Sequence, residues 1–124
     1  MSKLQVVIKR AGFTPEIAMI PGGDREVAAI LEIIEADEHA VPECVIRIPG
    51  VRFGLACYAN EEGKLEGLRP NFIHPDGWDV ILGNVVWLAI DVSGEAISIP
   101  DEIAARLCEL MRPWSPALLR PRVA

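Results

Sequence analysis

Residues 80 to 91 read V-I-L-G-N-V-V-W-L-A-I-D, a run that is apolar at odd and even positions alike. A strand with one wet face alternates apolar and polar residues. A run without that alternation predicts a central strand covered on both faces. Gly83, inside the run, predicts a bulge or a close approach of another backbone.

Outward from this strand the chain is punctuated regularly. Ser93-Gly94 is a turn. Ser98-Ile99-Pro100-Asp101 opens a helix, with Pro100 near its first position and Asp101 and Glu102 at its positive end. Ile103, Ala104, Leu107, Leu110 and Met111 form the stripe of that helix that faces the core, and Pro113 stops it. On the other side, F-I-H-P-D-G-W-D (72–79) reads as a loop. Before it, C-V-I-R-I and R-F-G-L-A-C-Y-A read as strands joined around Pro49-Gly50. A four-residue loop, Ile48 to Val51, predicts a register with Arg47 facing Arg52 and Ile46 facing Phe53. Cys44, Ile46, Phe53, Leu55 and Cys57 then share the core face, and Arg47, Arg52, Gly54 and Tyr58 the opposite one. At the start of the chain Leu4, Val6 and Ile8 alternate with Lys3, Gln5 and Lys9 as in a strand with one face on the core. A-G-F-T-P turns the chain, and E-I-A-M-I returns. Val27, Ile30, Leu31 and Ile34 predict an amphipathic helix from Asp24, its N-cap, to about residue 37.

The expected fold is therefore α+β in a single domain over residues 1–112. Its largely antiparallel sheet has about five strands, with two helices in a single layer on one face. The Pro/Arg-rich tail, 113–124, is expected to be mobile. With 124 residues, half of them apolar, the chain can bury one core without metal or disulfide staples.

Net charge is -6, and Arg112, Arg120 and Arg122 carry the end of the chain with no acid after Glu109. The body is correspondingly more acidic, which argues against broad nucleic-acid binding. Solubility alone accounts for acidity of this size, so mimicry of DNA is the minority reading. Cys44, Cys57 and Cys108 are odd in number and widely spaced, which suits a reduced, cytoplasmic interior. The polar start M-S-K-L-Q and the short run V-V-W-L-A-I give no expectation of a leader or a membrane span.

Residues 59 to 71, A-N-E-E-G-K-L-E-G-L-R-P-N, are rich in turn formers. This stretch, followed by D-V-I-L-G-N-V-V, resembles the pattern of the family known as domain of unknown function 3846, carried by phages and mobile elements. The matching positions are Asn60, Glu61, Gly63, Leu65, Gly67, Leu68, Asn71, Gly83 and Asn84, and the resemblance covers most of residues 3 to 111. Two features depart from the pattern: E-A-D-E-H-A-V-P after the first helix is longer than usual, and the tail is extra. The resemblance implies no catalytic residue, since the family's activity is unassigned. It implies a phage or mobile-element setting, in which small accessory proteins often antagonise or redirect host machinery, including host defence. The protein would then work in the cytoplasm of the host cell.

Two groups of residues are candidates for binding. Arg47 opposite Arg52 would place like charges across a strand pair, an arrangement that costs a few tenths of a kcal/mol unless an anion or acid lies between them. Tyr58 would add a flat surface beside them. The bland alternative is neutralisation by Glu16 or Glu43. Asn60, Asn71 and Asn84 could converge at one end of the sheet to read a polar ligand, although a type I turn explains Asn60-Glu61-Glu62-Gly63 by geometry alone. His39 and His74 are isolated and read as surface residues. Asp76 and Asp79 with His74 fall short of a metal site. No nucleophile motif, phosphate loop or dinucleotide fingerprint is present.

No cofactor and no metal is expected, and an enzyme is the minority reading. The leading expectation is a small accessory protein that binds a host protein without catalysis. The second is a binder that sequesters a nucleotide-like or other anionic small molecule, and the weakest a hydrolase of such a ligand. Self-association is left open, for which Trp114, Leu118 and Leu119 of the tail are candidates, as they are for docking on a host protein.

Overall fold

The computed structural model describes residues 3–62, 66–75, 77 and 80–112. Within them the chain runs β1 (Lys3–Lys9), β2 (Glu16–Pro21), a 3-10 turn (Gly23–Arg25), α1 (Glu26–Ile33), β3 (Glu43–Ile48), β4 (Phe53–Ala59), β5 (Pro70–Ile73), β6 (Val80–Leu82), β7 (Val85–Asp91), β8 (Ala96–Ile97) and α2 (Asp101–Met111). The main sheet has the order β2-β1-β7-β4-β3, with the short β8 also paired to β7, and β5 and β6 form a separate two-stranded sheet. All of these pairings are antiparallel. The α+β class, the antiparallel sheet and the two helices are as expected.

The layering differs from expectation. Val6, Ile8, Val86 and Leu88 pack with Ile30, Leu31 and Ile34 of α1. Their neighbours in sequence, Val7, Val85, Trp87 and Ala89, pack with Ala104, Leu107, Cys108 and Met111 of α2. Successive strand side chains point to opposite faces, so the helices cover one face each. The unbroken apolarity of β7 required this. A strand wet on one face would have left Val86 and Leu88 in water, at roughly 1.5–3 kcal/mol each. Trp87 anchors α2, its indole N–H donating to Met111 Sδ at 3.0 Å, which gives a buried polar group a partner.

The run 80–91 is two strands rather than one. Gly83 has φ +80, a left-handed conformation that takes the chain out of the small sheet and into the main one. A Cβ at Gly83 would lie 2.8 Å from Leu68 Cδ1, so the crowding there comes from a side chain and not from the backbone expected there. Part of the expected loop 72–79 is strand β5, paired with β6.

The first helix is shorter than its apolar spacing predicts. Asp24 lies in the 3-10 turn, and no side chain caps either segment. Val27 is exposed. At the far end Ala36 N bonds Leu31 O at 2.9 Å and Glu35 N bonds Glu32 O at 3.2 Å, the paired bonds of a Schellman ending. The left-handed position is held by Glu35 at φ 58, where a glycine is usual. In α2, Leu110 is exposed and Cys108 takes its place on the buried stripe.

The β3–β4 register also differs. Arg47 pairs Ala56 and Ile46 pairs Cys57, with a bulge between Cys44 and Ile46. Ile48 pairs Leu55, so six residues, 49–54, separate the paired positions, and of these Phe53 and Gly54 pair only with β7, opposite Asp91 and Ile90. Arg52 stays in the loop, and the bulge moves Cys44 off the face of Ile46 and Cys57.

Gly83→Ala should lower stability by about 1–2 kcal/mol from φ alone and by more from the Leu68 contact. Gly94, also left-handed at φ +90 but with nothing within 4 Å of its would-be Cβ, should show only the first cost. Comparing the two variants by thermal unfolding checks this, and equal losses would contradict it.

Candidate functional site

The three asparagines gather at the end of the sheet where β1 finishes, α1 ends and the β5–β6 hairpin meets β7. Asn71, fully buried, donates from Nδ2 to Lys9 O at 2.7 Å and to Gly83 O at 2.8 Å. Asn84 donates to Ile33 O at 2.9 Å and accepts Ala11 N at 2.9 Å. Asn60 donates to Glu35 O at 3.3 Å and accepts Glu62 N at 3.0 Å. The final carbonyls of a helix lack partners within it, and here Asn84 and Asn60 supply donors to that end of α1. The asparagines do converge, but their amide donors are spent within the protein, on backbone carbonyls and, for Asn60 and Asn84, also on the carboxylates of Glu66 and Glu35. Among the described residues only Asn71 Oδ1 is buried without a partner.

What they build is a cavity of about 280 Å³ beside them, bounded by Arg10, Ala11, Phe13, Glu35, Leu68, Arg69, Gly83 and Asn84. A turn closed by Phe13 N on Arg10 O at 3.0 Å brings Arg10 and Phe13 to its rim, and Phe13 is 63% exposed. The Arg69 guanidinium lies where a side chain on residue 12 would be, 2.6 Å from the position of a Cβ. Gly12, at φ +90, leaves it that room. Arg10 is 3.5 Å from Glu16, whereas no acid pairs with Arg69 among the described residues. The Glu35 carboxylate lies 3.4 Å from Asn84 Nδ2. Its border thus brings together two arginines, an aromatic ring, a carboxylate and an amide.

The arginine pair anticipated on the β3–β4 hairpin does not form. Arg47 instead borders a smaller hollow of about 180 Å³ with Asp91, Phe53 and Gly54. Asp91 there accepts hydrogen bonds from Ser93 and from the Glu95 backbone, which hold its carboxyl below the ordinary value. Tyr58 is half-buried on the α1 face, and burial raises its phenol pKa.

The sheet's two open edges are unlike. β3 is interrupted by its bulge, carries Glu43 and Arg47, and lies between Pro42 and Pro49. These are the devices that blunt an edge. β2 follows Pro15, opens on Glu16 and ends on Pro21, but its register is unbroken and the four residues between, Ile17 to Ile20, are uncharged. Ile17 is 46% and Met19 54% exposed, both on the α2 face because they pair Val7 and Gln5.

Burial pushes the Cys57 thiol well up and the Cys108 thiol up, away from thiolate chemistry. His74 is half-buried with Nε2 2.8 Å from Val45 O, and His39 is on the surface beside Glu38. Among the described residues no group of three or more His, Cys, Asp or Glu could hold a metal. Asp76, Asp79, Gly63, Leu65 and the tail from residue 113 lie outside the described residues. No helix among the described residues is long and apolar enough to cross a membrane.

Sequence reasoning missed Arg10, Phe13, Glu35 and Arg69. Arg69 stood inside the quoted turn-rich stretch, and Arg10 and Phe13 flanked a visible turn. Glu35 gave no signal, because a helix ending on Glu in place of Gly does not announce itself. Lys9 was missed as well. It is wholly buried on the α2 face, and among the described residues its ammonium makes one hydrogen bond, to Arg10 O at 3.2 Å.

Desolvation lowers the Lys9 pKa from its ordinary 10.5, so the folded state releases this proton before the unfolded chain does. Stability should rise with pH between the lowered value and 10.5. Lys9→Met should therefore melt above the wild type at neutral pH, with the gap closing as pH approaches 10. A gap that stays constant with pH would show that Lys9 titrates as it does in the unfolded chain.

No curated protein and no solved structure matches the chain. The model of the family described as domain of unknown function 3846 matches residues 4–112. That span takes in both sheets, both helices and every residue bordering the cavity, and the chain belongs to this family.

Proposed function

We propose that the chain acts by binding, without catalysis, as an accessory protein of phage or mobile-element origin, and that a host protein adds a strand to β2. The observation that carries this is the contrast between the edges. An exposed strand offers a row of free N–H and C=O groups, and proteins ordinarily guard such rows. β3 has a bulge and a charged residue, Arg47, within the strand, whereas between Glu16 and Pro21 β2 keeps a regular register of uncharged residues with Ile17 and Met19 half-exposed. Strand addition takes its affinity from main-chain hydrogen bonds and its specificity from alternate side chains, which on this edge are Ile17 and Met19.

The charges nearest the edge in sequence, Lys9, Arg10 and Arg25 against Glu16, Asp24 and Glu26, are balanced. The acidity of the chain as a whole therefore does not bar an approach here. The buried thiols of Cys57 and Cys108 support binding over nucleophilic chemistry. A partner drawn from host defence would suit an accessory protein of this origin.

The test is affinity purification from host lysate with wild type and with Ile17→Lys/Met19→Lys, followed by hydrogen exchange on the recovered complex. The reading expects a stoichiometric protein that protects residues 16–21 and is lost with the double variant, while the variant's melting shifts by no more than about 0.5 kcal/mol. A complex that survives the double variant, or that protects other residues, would overturn the edge as the interface.

A further inference from the structure

The cavity at the asparagine end has a chemistry distinct from the edge, and it stands independently of the strand-addition reading. We propose that it binds a phosphate-bearing small molecule with one aromatic ring, of the class and size of a nucleoside monophosphate.

Size sets the first limit. Small-molecule sites run from roughly 300 to 1,000 Å³. About 280 Å³ is at the floor of that range, enough for one nucleotide unit and too little for a dinucleotide. Charge sets the second. Arg69 brings a planar fork of donors with no acid among the described residues to neutralise it, and such a fork suits phosphate oxygens. Arg10, shared with Glu16 at 3.5 Å, adds a second positive charge at the border. The third limit is the exposed ring of Phe13 at that rim, a stacking surface for a base.

The carboxylate at the border fixes orientation. The Glu35 carboxylate repels phosphate and accepts hydrogen bonds, so the phosphate lies toward Arg69 and Arg10 and a sugar hydroxyl toward Glu35. Glu35 occupies a left-handed backbone position that costs about 1 kcal/mol or more relative to glycine. A glycine there would end the helix at lower cost but would remove the carboxylate from the cavity wall.

Isothermal titration of the full-length protein with adenosine monophosphate, inorganic phosphate and adenosine tests the assignment. The expected result is one site per chain for the monophosphate, at least tenfold tighter than either fragment. Arg69→Gln should weaken it tenfold or more, consistent with losing one charge-assisted contact. Phe13→Ala should weaken the monophosphate but not inorganic phosphate. Arg106→Gln, on the exposed side of α2, should change nothing, and thermal melts should show each variant folded. Three results would overturn the proposal: no heat at millimolar ligand, inorganic phosphate binding as tightly as the monophosphate, or monophosphate binding unaltered by Arg69→Gln. None of these bears on β2, because the edge variants leave the cavity intact.

Discussion

One side-chain amide joins the two sheets. Asn71 reaches from β5 to Lys9 O at the end of the main sheet and to Gly83 O at the exit from the small one. Both carbonyls lie near the end of a strand, and an unmet buried carbonyl costs roughly 1–3 kcal/mol. Gly83 N completes the joint by bonding Arg69 O at 2.7 Å. The hairpin's position over the α2 face, and with it the burial of Phe72 and Ile81 in that core, depends on this joint.

The same logic extends to the first helix. A Schellman ending with Glu35 in the glycine position is strained. Asn84 and Asn60 offset the strain by donating to Ile33 O and Glu35 O. Three asparagines thus fasten five segments, at residues 9–11, 33–35, 60–62, 71 and 83–84, that meet at one end of the sheet, and the cavity lies beside them, bordered by Asn84. Arg10, Arg69 and Phe13 stand around it because the turn and the loop that carry them are held by these joints.

Much of the fold was legible from residue pattern. β1 to β4 and both helices came from residue pattern, and the central place of β7 came from its lack of alternation, whereas β5 and β8 were not read and β6 was merged with β7. The pattern failed where tertiary geometry outranked local signal. The β3–β4 register could not be read because Phe53 and Gly54 pair with β7, a distant strand that periodicity does not see. The end of α1 was misjudged because Glu35 replaces the usual glycine. Lys9 looked like an ordinary polar alternate of β1, and only the α2 layer over that face buries it. At the candidate site the asparagines were legible as a group, but their task was not. An amide that reads a ligand and one that fastens a backbone carbonyl have the same residue type and spacing.

The central claim is that these asparagines are fasteners and that the cavity exists because of them. Hydrogen exchange on Asn71→Ala, compared residue by residue with wild type, tests it most directly. The account predicts lost protection in 70–73 and 80–83 and around Lys9 to Ala11, with β3 and β4 unchanged. Protection that falls evenly across the whole sheet, or that does not fall at all, would contradict it.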